Sequence, residues 1–446
     1  MELSLYLCKK RIRMNADLLI GATSSGCGKT TFTIGLLRAL RNRGCSVQPF
    51  KCGPDYIDSH FHKLAAGIES VNLDSWFSSK ENLHRLYHKY QQGSQICVVE
   101  GVMGLFDGYD DMRGSSAEIA LELGIPVILL VNACSVAYSV APLLYGYIHF
   151  FPHINIKGVV FNQTASASQE KCLKSACKDV GVECLGFIPR VMDIDIPSRH
   201  LGLTLDREFR TEQLIDKISR VIDEHVDIQR LLELCGRESD VACNNLVAAS
   251  PRRNLKIAVA CDEAFNFIYK ENIESLKKDG EVLFFSPLND EFLPQADLVY
   301  LPGGYPEFFL KELSSNKTMI DSIKNHVERG GKIFAECGGM MYLCRSVVGM
   351  DNIAYPMVGI YAQDATMTDM HLHLGYRKFF YNGEEWRGHE FHFSSIAYPG
   401  NDLKSIAQQF DADGNAVNTP ILRYKNAIAG YTHLYWGDSD LLKLWS

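Results

Sequence analysis

Short apolar runs alternate with amphipathic stretches along most of the chain, and this alternation restricts the possible folds. A helix with one apolar face is predicted over residues 29–43. Strands are predicted over residues 18–21, 46–51, 96–101, 127–132 and 159–162. Apolar strands between amphipathic helices are typical of a parallel sheet that helices cover on both faces. We therefore predict an α/β fold whose ligands bind at the carboxyl ends of the strands.

A second series of strands and helices begins at residue 255, after a polar stretch. Its predicted strands cover residues 255–260, 282–285 and 298–301 and the run that ends at Cys337. With 446 residues, the chain is too long for one ordinary core. We predict one α/β domain over residues 14–235, a linker over residues 236–253 and a second α/β domain over residues 254–446.

The composition excludes several classes of protein. Hydrophobic residues make up 46% and charged residues 22%, which is typical of a soluble globular protein, and the net charge of -8 argues against nucleic acid as a partner. No segment reaches 18 apolar residues, so no membrane partner is expected. The 14 cysteines form no C-x-x-C pair, which indicates a reducing cytosol rather than a disulfide framework. The sequence leaves open the oligomeric state and whether translation starts at Met1 or Met14.

A glycine-rich segment lies between the first predicted strand and the first predicted helix. It reads Gly21-Ala-Thr-Ser-Ser-Gly-Cys-Gly-Lys-Thr-Thr31, and it departs from the strict Walker A pattern because Thr23 replaces the first glycine. Backbone N–H groups in such a loop bind phosphates, the lysine reaches the β and γ oxygens, and the threonine hydroxyl can ligate magnesium. The ATP-binding residues predicted here are Thr23, Ser24, Ser25, Gly26, Cys27, Gly28, Lys29, Thr30 and Thr31.

Polar side chains also follow other strands of the first series. Asp55 follows the second strand and Glu100 lies near the end of the next long one. Together with Thr30, these carboxylates are predicted to bind Mg²⁺, which prefers hard oxygen ligands. Asn162, at the end of a later strand, is predicted to bind an adenine edge. Asp55 could instead be a turn residue after Gly53-Pro54, and Asn162 a turn cap.

In the second series, the run Lys332-Ile-Phe-Ala-Glu-Cys-Gly-Gly339 predicts a strand, a sharp turn and a helix with Cys337 at the apex. A thiol at a helix N-terminus is favoured as a thiolate, and the nearby N–H groups can hold an oxyanion. The backbone N–H groups of Gly338 and of Gly304, in Leu301-Pro-Gly-Gly-Tyr-Pro-Glu307, are predicted to form that oxyanion hole. The alternatives are a small buried thiol and glycines that serve turns only.

Three segments of the first series resemble cobyrinate a,c-diamide synthases. They are the phosphate loop, residues 51–58 and residues 100–108, and the string Gly-Pro-Asp-Tyr-Ile-Asp is the most specific of them. The resemblance covers residues 14–446. It implies a dethiobiotin-synthetase-like P-loop domain joined to a class I glutaminase domain. It also implies a carbon–nitrogen ligase of vitamin B12 biosynthesis with glutamine as amido donor, which uses ATP, glutamine, Mg²⁺ and a tetrapyrrole.

The same resemblance implies roles for residues that the pattern alone would not select. His433 would deprotonate Cys337, although Tyr435 stands where most class I glutaminases carry the glutamate that orients the histidine. The segment of residues 388–394 also resembles the family. The tetrapyrrole contacts implied are Asp55, Tyr56, Asp58 and Arg199.

Alternative functions remain at this point. The substrate could be hydrogenobyrinate or a nickel sirohydrochlorin, which carry similar acetate groups. A partitioning-type ATPase is a second alternative, although such proteins carry a lysine where this chain has Ser24. A regulatory binding protein with an inactive glutaminase fold is a third.

Overall fold

The computed structural model describes residues 14–190, 205–238, 253–368, 370–397, 404–437 and 439–446, with the backbone alone for residues 205–210. The described chain divides into two compact units. Residues 14–190 and 205–238 belong to the first unit, and the residues from 253 onward belong to the second. The domain boundaries predicted above stay a prediction, because residues 239–252 lie outside the described residues.

A seven-stranded sheet forms the centre of the first unit, and every neighbouring pair of its strands is parallel. The strand order is β3-β2-β4-β1-β5-β6-β7. The strands are β1 (Ala16–Ala22), β2 (Val47–Cys52), β3 (Val71–Leu73), β4 (Ile96–Glu100), β5 (Val127–Asn132), β6 (Ile156–Thr164) and β7 (Glu183–Pro189).

Helices cover both faces of this sheet, as the apolar strands predict. Along β1, Leu18 and Ile20 join one buried cluster and Leu19 joins the other, because successive side chains of a strand point to opposite faces. The helices are α1 (Lys29–Asn42), α2 (Ile57–Ala66), α3 (Lys80–Gln91), α4 (Ser116–Leu123), α5 (Val140–Phe150), α6 (Ala167–Val180), α7 (Leu205–His225) and α8 (Ile228–Leu234).

The second unit has a six-stranded sheet in the order β20-β21-β11-β10-β8-β9. Its strand pairs are parallel except for the antiparallel pair β20 and β21. The strands are β8 (Leu255–Ala260), β9 (Gly280–Phe285), β10 (Leu298–Leu301), β11 (Lys332–Glu336), β20 (Ile421–Tyr424) and β21 (Ala427–Gly430).

Two further sheets complete the second unit, one of four strands and one of five antiparallel strands. The first contains β12 (Cys344–Val348), β13 (Ala354–Pro356), β14 (Tyr361–Thr366) and β17 (Ser395–Ala397). The second contains β15 (His373–Tyr381), β16 (Glu384–His392), β18 (Gln409–Phe410), β19 (Ala416–Val417) and β22 (His433–Leu434). The helices are α9 (Lys270–Lys277), α10 (Leu310–Ser315), α11 (Lys317–Glu328) and α12 (Gly338–Leu343), with 3-10 turns at Pro306–Phe308 and Leu441–Trp445.

The predicted α/β class is therefore confirmed. Strands predicted over residues 127–132, 255–260 and 298–301 have those bounds in the structure, and the helix predicted over 29–43 ends one residue earlier. Among the described helices, none is both long enough and apolar enough to cross a bilayer.

Candidate active sites

The phosphate loop joins β1 to α1, as predicted. Gly26 and Gly28 have φ of 77° and 93°, a conformation that glycine adopts without strain. The Cys27 thiol lies inside the loop, 3.3 Å from Ser24 Oγ and 3.5 Å from Thr23 Oγ1. Burial by itself would raise the pKa of this thiol, but the two hydroxyls lower it overall. The loop therefore has internal polar contacts that fix its shape.

Asn162 holds the loop from the end of β6. Its Nδ2 donates to the Cys27 carbonyl oxygen over 2.8 Å, and its Oδ1 accepts from Gln163 N over 2.9 Å. A Cβ on Gly28 would lie only 2.3 Å from that Nδ2, so the close approach requires glycine. These contacts account for both polar atoms of the side chain, and its predicted role at an adenine edge stays a prediction.

The loop lysine, Lys29, is buried and donates to the carbonyl oxygen of Met103. Met103 itself has φ of 47°, an uncommon value for a residue with a side chain. Burial lowers the pKa of Lys29, and the nearby Lys51 ammonium lowers it further. The lysine is therefore held by a backbone oxygen at the site where an anion is expected.

A buried cluster of opposite charges lies beside the loop. The Thr30 hydroxyl lies 2.7 Å from Glu100 Oε1 and 3.2 Å from Asp58 Oδ2. Lys51 Nζ lies 3.1 Å and 2.9 Å from the same two oxygens. Burial alone would raise the pKa of Glu100, but Lys51 and a hydrogen bond from His62 bring it below its ordinary range. Burial and the neighbouring Asp55 raise the pKa of Asp58.

Asp55 has a structural contact of its own. Its Oδ1 accepts the backbone N–H groups of Ile57 and Asp58, both over 2.9 Å, at the start of α2. Tyr56 lies beside it and is partly buried. Arg199, the fourth predicted tetrapyrrole contact, lies outside the described residues.

Cys337 lies at the turn between β11 and α12, as predicted. Its φ of 44° and ψ of −104° are strained values for a residue with a side chain, and its backbone N–H is anchored to the Gly430 carbonyl oxygen over 2.7 Å. The expected preference for a thiolate is wrong for this structure. Burial, and then the nearby Glu307 carboxylate, raise the pKa of the thiol, and these effects outweigh the hydrogen bond from Gly338.

The two predicted oxyanion donors lie next to one another. A Cβ built on Gly338 would lie 3.2 Å from Gly304 N, so the two backbone segments almost touch. A Cβ on Gly304 would lie 2.1 Å from the Ala264 carbonyl oxygen, so that position has no room for a side chain. The glycines therefore allow a close approach of two backbone N–H groups beside the thiol.

His433 lies in β22, where it pairs with His389 of β16. The two rings stack with centroids 5.1 Å apart. A Cβ on Gly303 would lie 2.2 Å from His433 Cε1, so the backbone at Gly303 packs directly on the imidazole. Burial, followed by the neighbouring His389 and His392, lowers the pKa of His433 well below its ordinary value. The residue is thus buried and neutral in this state.

Both halves of the chain match known protein families. Residues 18–203 match a family described as the CobQ/CobB/MinD/ParA nucleotide binding domain, and residues 256–441 match the CobB/CobQ-like glutamine amidotransferase domain. A cobyrinate a,c-diamide synthase from Picrophilus torridus is 38% identical over 94% of this chain and 95% of its own length. The chain belongs to the cobyrinate a,c-diamide synthase family. The predicted two-part fold and the predicted class, a glutamine-dependent ligase, are thereby confirmed at the level of this family.

Other similar proteins carry two related names. A cobyrinate a,c-diamide synthase from Caldanaerobacter subterraneus is 39% identical over 85% of this chain and 86% of its own length. A hydrogenobyrinate a,c-diamide synthase from Brucella anthropi is 36% identical over 93% of this chain and 97% of its own length.

Sequence reasoning missed two residues of the first site in this member of the a,c-diamide synthase family. Lys51 is the last residue but one of β2 and pairs in register with Glu100 of β4. His62 Nε2 lies 2.6 Å from Glu100 Oε2, and its Nδ1 lies 3.1 Å from Ser70 Oγ. One signal was present for His62, because it follows Asp58 by four residues and therefore shares its helix face.

The segment of residues 388–394 supplies further groups around His433. The Tyr269 hydroxyl lies 3.0 Å from His389 Nδ1, and Arg377 forms an ion pair of 2.9 Å with Glu390. Burial, and then the Arg377 charge, lower the pKa of His389 to about 3. Buried side chains of this segment, His389 and His392, therefore lie close to His433.

Proposed function

We propose that this protein catalyses the glutamine-dependent, ATP-hydrolysing amidation of the a and c acetate carboxylates of cobyrinate in corrinoid biosynthesis. The observation that carries this proposal is that one chain contains both a phosphate loop with a buried lysine and a strained cysteine corner. The first suits activation of a carboxylate by ATP, and the second suits release of ammonia from glutamine. The choice of substrate follows the names of relatives that match most of the chain.

In the second unit, Cys337 attacks the side-chain amide carbon of glutamine while His433 accepts the thiol proton. The new carbon–sulfur bond gives a tetrahedral oxyanion, which the N–H groups of Gly304 and Gly338 stabilise. His433 then returns the proton to the leaving nitrogen, and ammonia departs. Water hydrolyses the remaining thioester to glutamate.

In the first unit, a tetrapyrrole carboxylate attacks the γ-phosphorus of ATP and ADP leaves. The resulting acyl phosphate is attacked by ammonia, and phosphate leaves as the amide forms. The backbone of residues 23–31 and Lys29 bind the phosphates of ATP in this proposal. Asn162 keeps its proposed place beside the adenine while it fastens the loop.

We propose Thr30, Asp55 and Glu100 as magnesium ligands. The donor set supports Thr30 and Glu100, because the Thr30 hydroxyl and the Glu100 carboxylate lie together and such hard ligands suit Mg²⁺. Asp55 is proposed from the sequence, since its Oδ1 accepts the backbone N–H groups of Ile57 and Asp58. Among the described residues, no cluster of three or more His, Cys, Asp or Glu could hold a metal alone. The ion would therefore share the nucleotide phosphates, whose charge it would neutralise. Asp58 touches Thr30 and is an additional candidate ligand.

We also propose Asp55, Tyr56, Asp58 and Arg199 as tetrapyrrole contacts, with Arg199 outside the described residues. Asp55, Tyr56 and Asp58 lie at the start of α2, beside the phosphate loop, where a carboxylate must lie to meet ATP. The proposed location is a reducing cytosol. This fits the cysteines of the described residues, all of which are free thiols.

One experiment tests the function and the substrate together. The protein is incubated with ATP, glutamine labelled with heavy nitrogen at its side-chain amide, and either cobyrinate or hydrogenobyrinate. Mass spectrometry should find two labelled nitrogens in cobyrinate. A preference for hydrogenobyrinate would favour the substrate named for the Brucella relative. Incorporation of one label, of four labels or of none into either tetrapyrrole would contradict the a,c assignment.

A further inference from the structure

Glu336 precedes Cys337 in the chain and ends β11 in a fully buried position. Both of its carboxylate oxygens accept hydrogen bonds. The Tyr300 hydroxyl donates to Oε2 over 2.7 Å, and the backbone N–H of Leu434 donates to Oε1 over 2.8 Å. Two donors on a buried side chain fix both its position and its orientation. The carboxylate of Glu336 is therefore held in one defined orientation within the second unit.

The fixed carboxylate faces the imidazole of His433. Glu336 Oε2 lies 4.0 Å from His433 Nδ1, and its other oxygen is tied to Leu434, the residue after His433. Glu336 therefore connects the strand that leads to the nucleophile with the strand that carries the base. This contact lies across two strands and is absent from any local sequence pattern.

The position two residues after His433 has no acidic group. Tyr435 occupies it, and its ring packs edge-on against Tyr269 with centroids 5.5 Å apart. A histidine that shuttles a proton needs a partner on its second nitrogen to fix its tautomer and to stabilise its charged form. Glu336 brings a carboxylate oxygen within 4.0 Å of one of these nitrogens, Nδ1.

We propose that Glu336 is the positioning residue of His433 and supplies from β11 the carboxylate that Tyr435 does not. This rests on the proposed glutaminase function. When Cys337 attacks the glutamine amide, its proton passes to His433 and an imidazolium forms beside Glu336. The imidazolium then gives that proton to the departing ammonia, and Glu336 remains unchanged.

The other charged groups around His433 either oppose a positive charge on it or interact with other residues. His389 and His392 lower the pKa of His433, so they oppose the imidazolium. Glu390 is paired with Arg377 at 2.9 Å. Glu307 acts on the Cys337 thiol, and burial raises the pKa of Glu307 to about 7. Against these groups, a nearby carboxylate is what offsets the positive charge on His433.

Burial also affects Glu336. It raises the pKa of that carboxyl to about 8, although the bonds from Tyr300 and Leu434 oppose the shift. A new positive charge 4.0 Å away would stabilise the ionised carboxylate. The charge on Glu336 is therefore best stabilised at the step in which His433 becomes charged.

The test uses the full chain and two substitutions, Glu336→Gln and Glu336→Asp. Glutamine keeps the shape and an acceptor oxygen but removes the charge, whereas aspartate keeps the charge with a shorter reach. The rate of glutamate release is measured with the rate at which iodoacetamide alkylates Cys337, both across pH. We expect Glu336→Gln to lower kcat for glutamine hydrolysis by about 10- to 100-fold with little change in KM.

The pH profile separates a positioning role from a merely structural one. Loss of the Glu336 charge would by itself lower the pKa of the Cys337 thiol, because that carboxylate raises it. Loss of the partner of the His433 imidazolium acts in the opposite direction, so a shift of Cys337 alkylation to higher pH in Glu336→Gln reports the positioning role. In Glu336→Asp the profile should stay near that of the unchanged protein. Amidation driven by ammonium chloride instead of glutamine is the folding control, and both variants should retain it.

Three results would overturn the inference. They are a normal glutaminase rate in Glu336→Gln, an alkylation profile that does not move, and loss of ammonia-driven amidation together with glutaminase activity. Failure of the proposed function is distinguishable from these, because the unchanged protein would then release no glutamate from glutamine.

Discussion

Lys51 of the first unit lies 3.1 Å from Glu100 and 2.9 Å from Asp58, whereas the reactive groups of the second unit, Cys337 and His433, are both buried without charge. The first site keeps the pair of Lys51 and Glu100 charged before any ligand arrives. The reactive pair of the second site becomes charged only when a proton moves from sulfur to nitrogen. A site that binds a polyanion needs fixed charge, while a site that holds a reactive thiol is protected from unwanted reactions when the thiol stays protonated.

The strongest test of this contrast between the two sites removes the Cys337 thiol. Cys337→Ala should lower glutamate release by at least about 1,000-fold, because no other group provides the nucleophile. Ammonia-driven amidation should continue, since the first unit keeps its own groups. Cys344→Ala, which removes another buried thiol seven residues later, is the matched control. Equal glutamate release from both variants would remove Cys337 from the mechanism.

A second test removes one charge from the fixed cluster. Glu100→Gln leaves the Lys51 ammonium with less compensation in a fully buried position. Breaking a buried ion pair in this way should lower the free energy of unfolding by about 3–5 kcal/mol. Urea unfolding followed by circular dichroism measures it. Glu122→Gln, which breaks the more exposed pair with Lys80, should change the same free energy by less than about 1 kcal/mol.

A third test addresses the phosphate loop. Lys29→Ala removes the cation expected to meet the β and γ phosphates, and we expect ATP-dependent amidation to fall by about 100-fold or more. Glutamate release measured without tetrapyrrole should persist. Lys80→Ala, at an exposed lysine of the same unit, controls for loss of charge alone. A fall of similar size in both variants would argue against a specific role for Lys29.

Local patterns were enough to predict the parts of both sites that are contiguous in sequence. Glycine corners after apolar strands marked the phosphate loop and Cys337, because each corner is formed by neighbouring residues. Lys51 was missed because its role depends on the register that sets it beside Glu100, 49 residues away. His433 required the family resemblance for the same reason.

Backbone geometry was also easier to predict than protonation. The turn at Cys337 follows from the glycines after it, but the pKa of its thiol depends on burial and on Glu307 from another segment. A short helix such as α12, of six residues, offers a weak dipole against complete desolvation. The prediction of a thiolate was wrong because it considered the effect of the helix dipole on the thiol pKa but not the effect of burial.

The smallest expected effect compares how the two units respond to acid. His389 and His392 have pKa values lowered to about 3 by burial, well below the roughly 6.5 of an unfolded histidine. Each therefore contributes stability that is present above pH 6.5 and is lost as pH falls toward 3, at about 1.4 kcal/mol per pH unit.

His433, with a pKa well below its ordinary value, acts in the same direction. Glu336 and Glu307 act in the opposite direction, because burial raises their pKa values to about 8 and about 7, and a smaller net loss of stability remains. Glu100 has a pKa below its ordinary range, so its contribution begins to fall only below about pH 4.5.

Acidification from pH 7 to pH 5 should accordingly weaken the second unit before the first. Amide hydrogen exchange distinguishes them, because β16 and β4 report on different units. Exchange from β16, corrected for the intrinsic effect of pH, should become faster than exchange from β4. His389→Gln removes one of these titrations and should therefore reduce the difference. Equal loss of protection in the two strands would mean that the buried histidines do not distinguish the stability of the units.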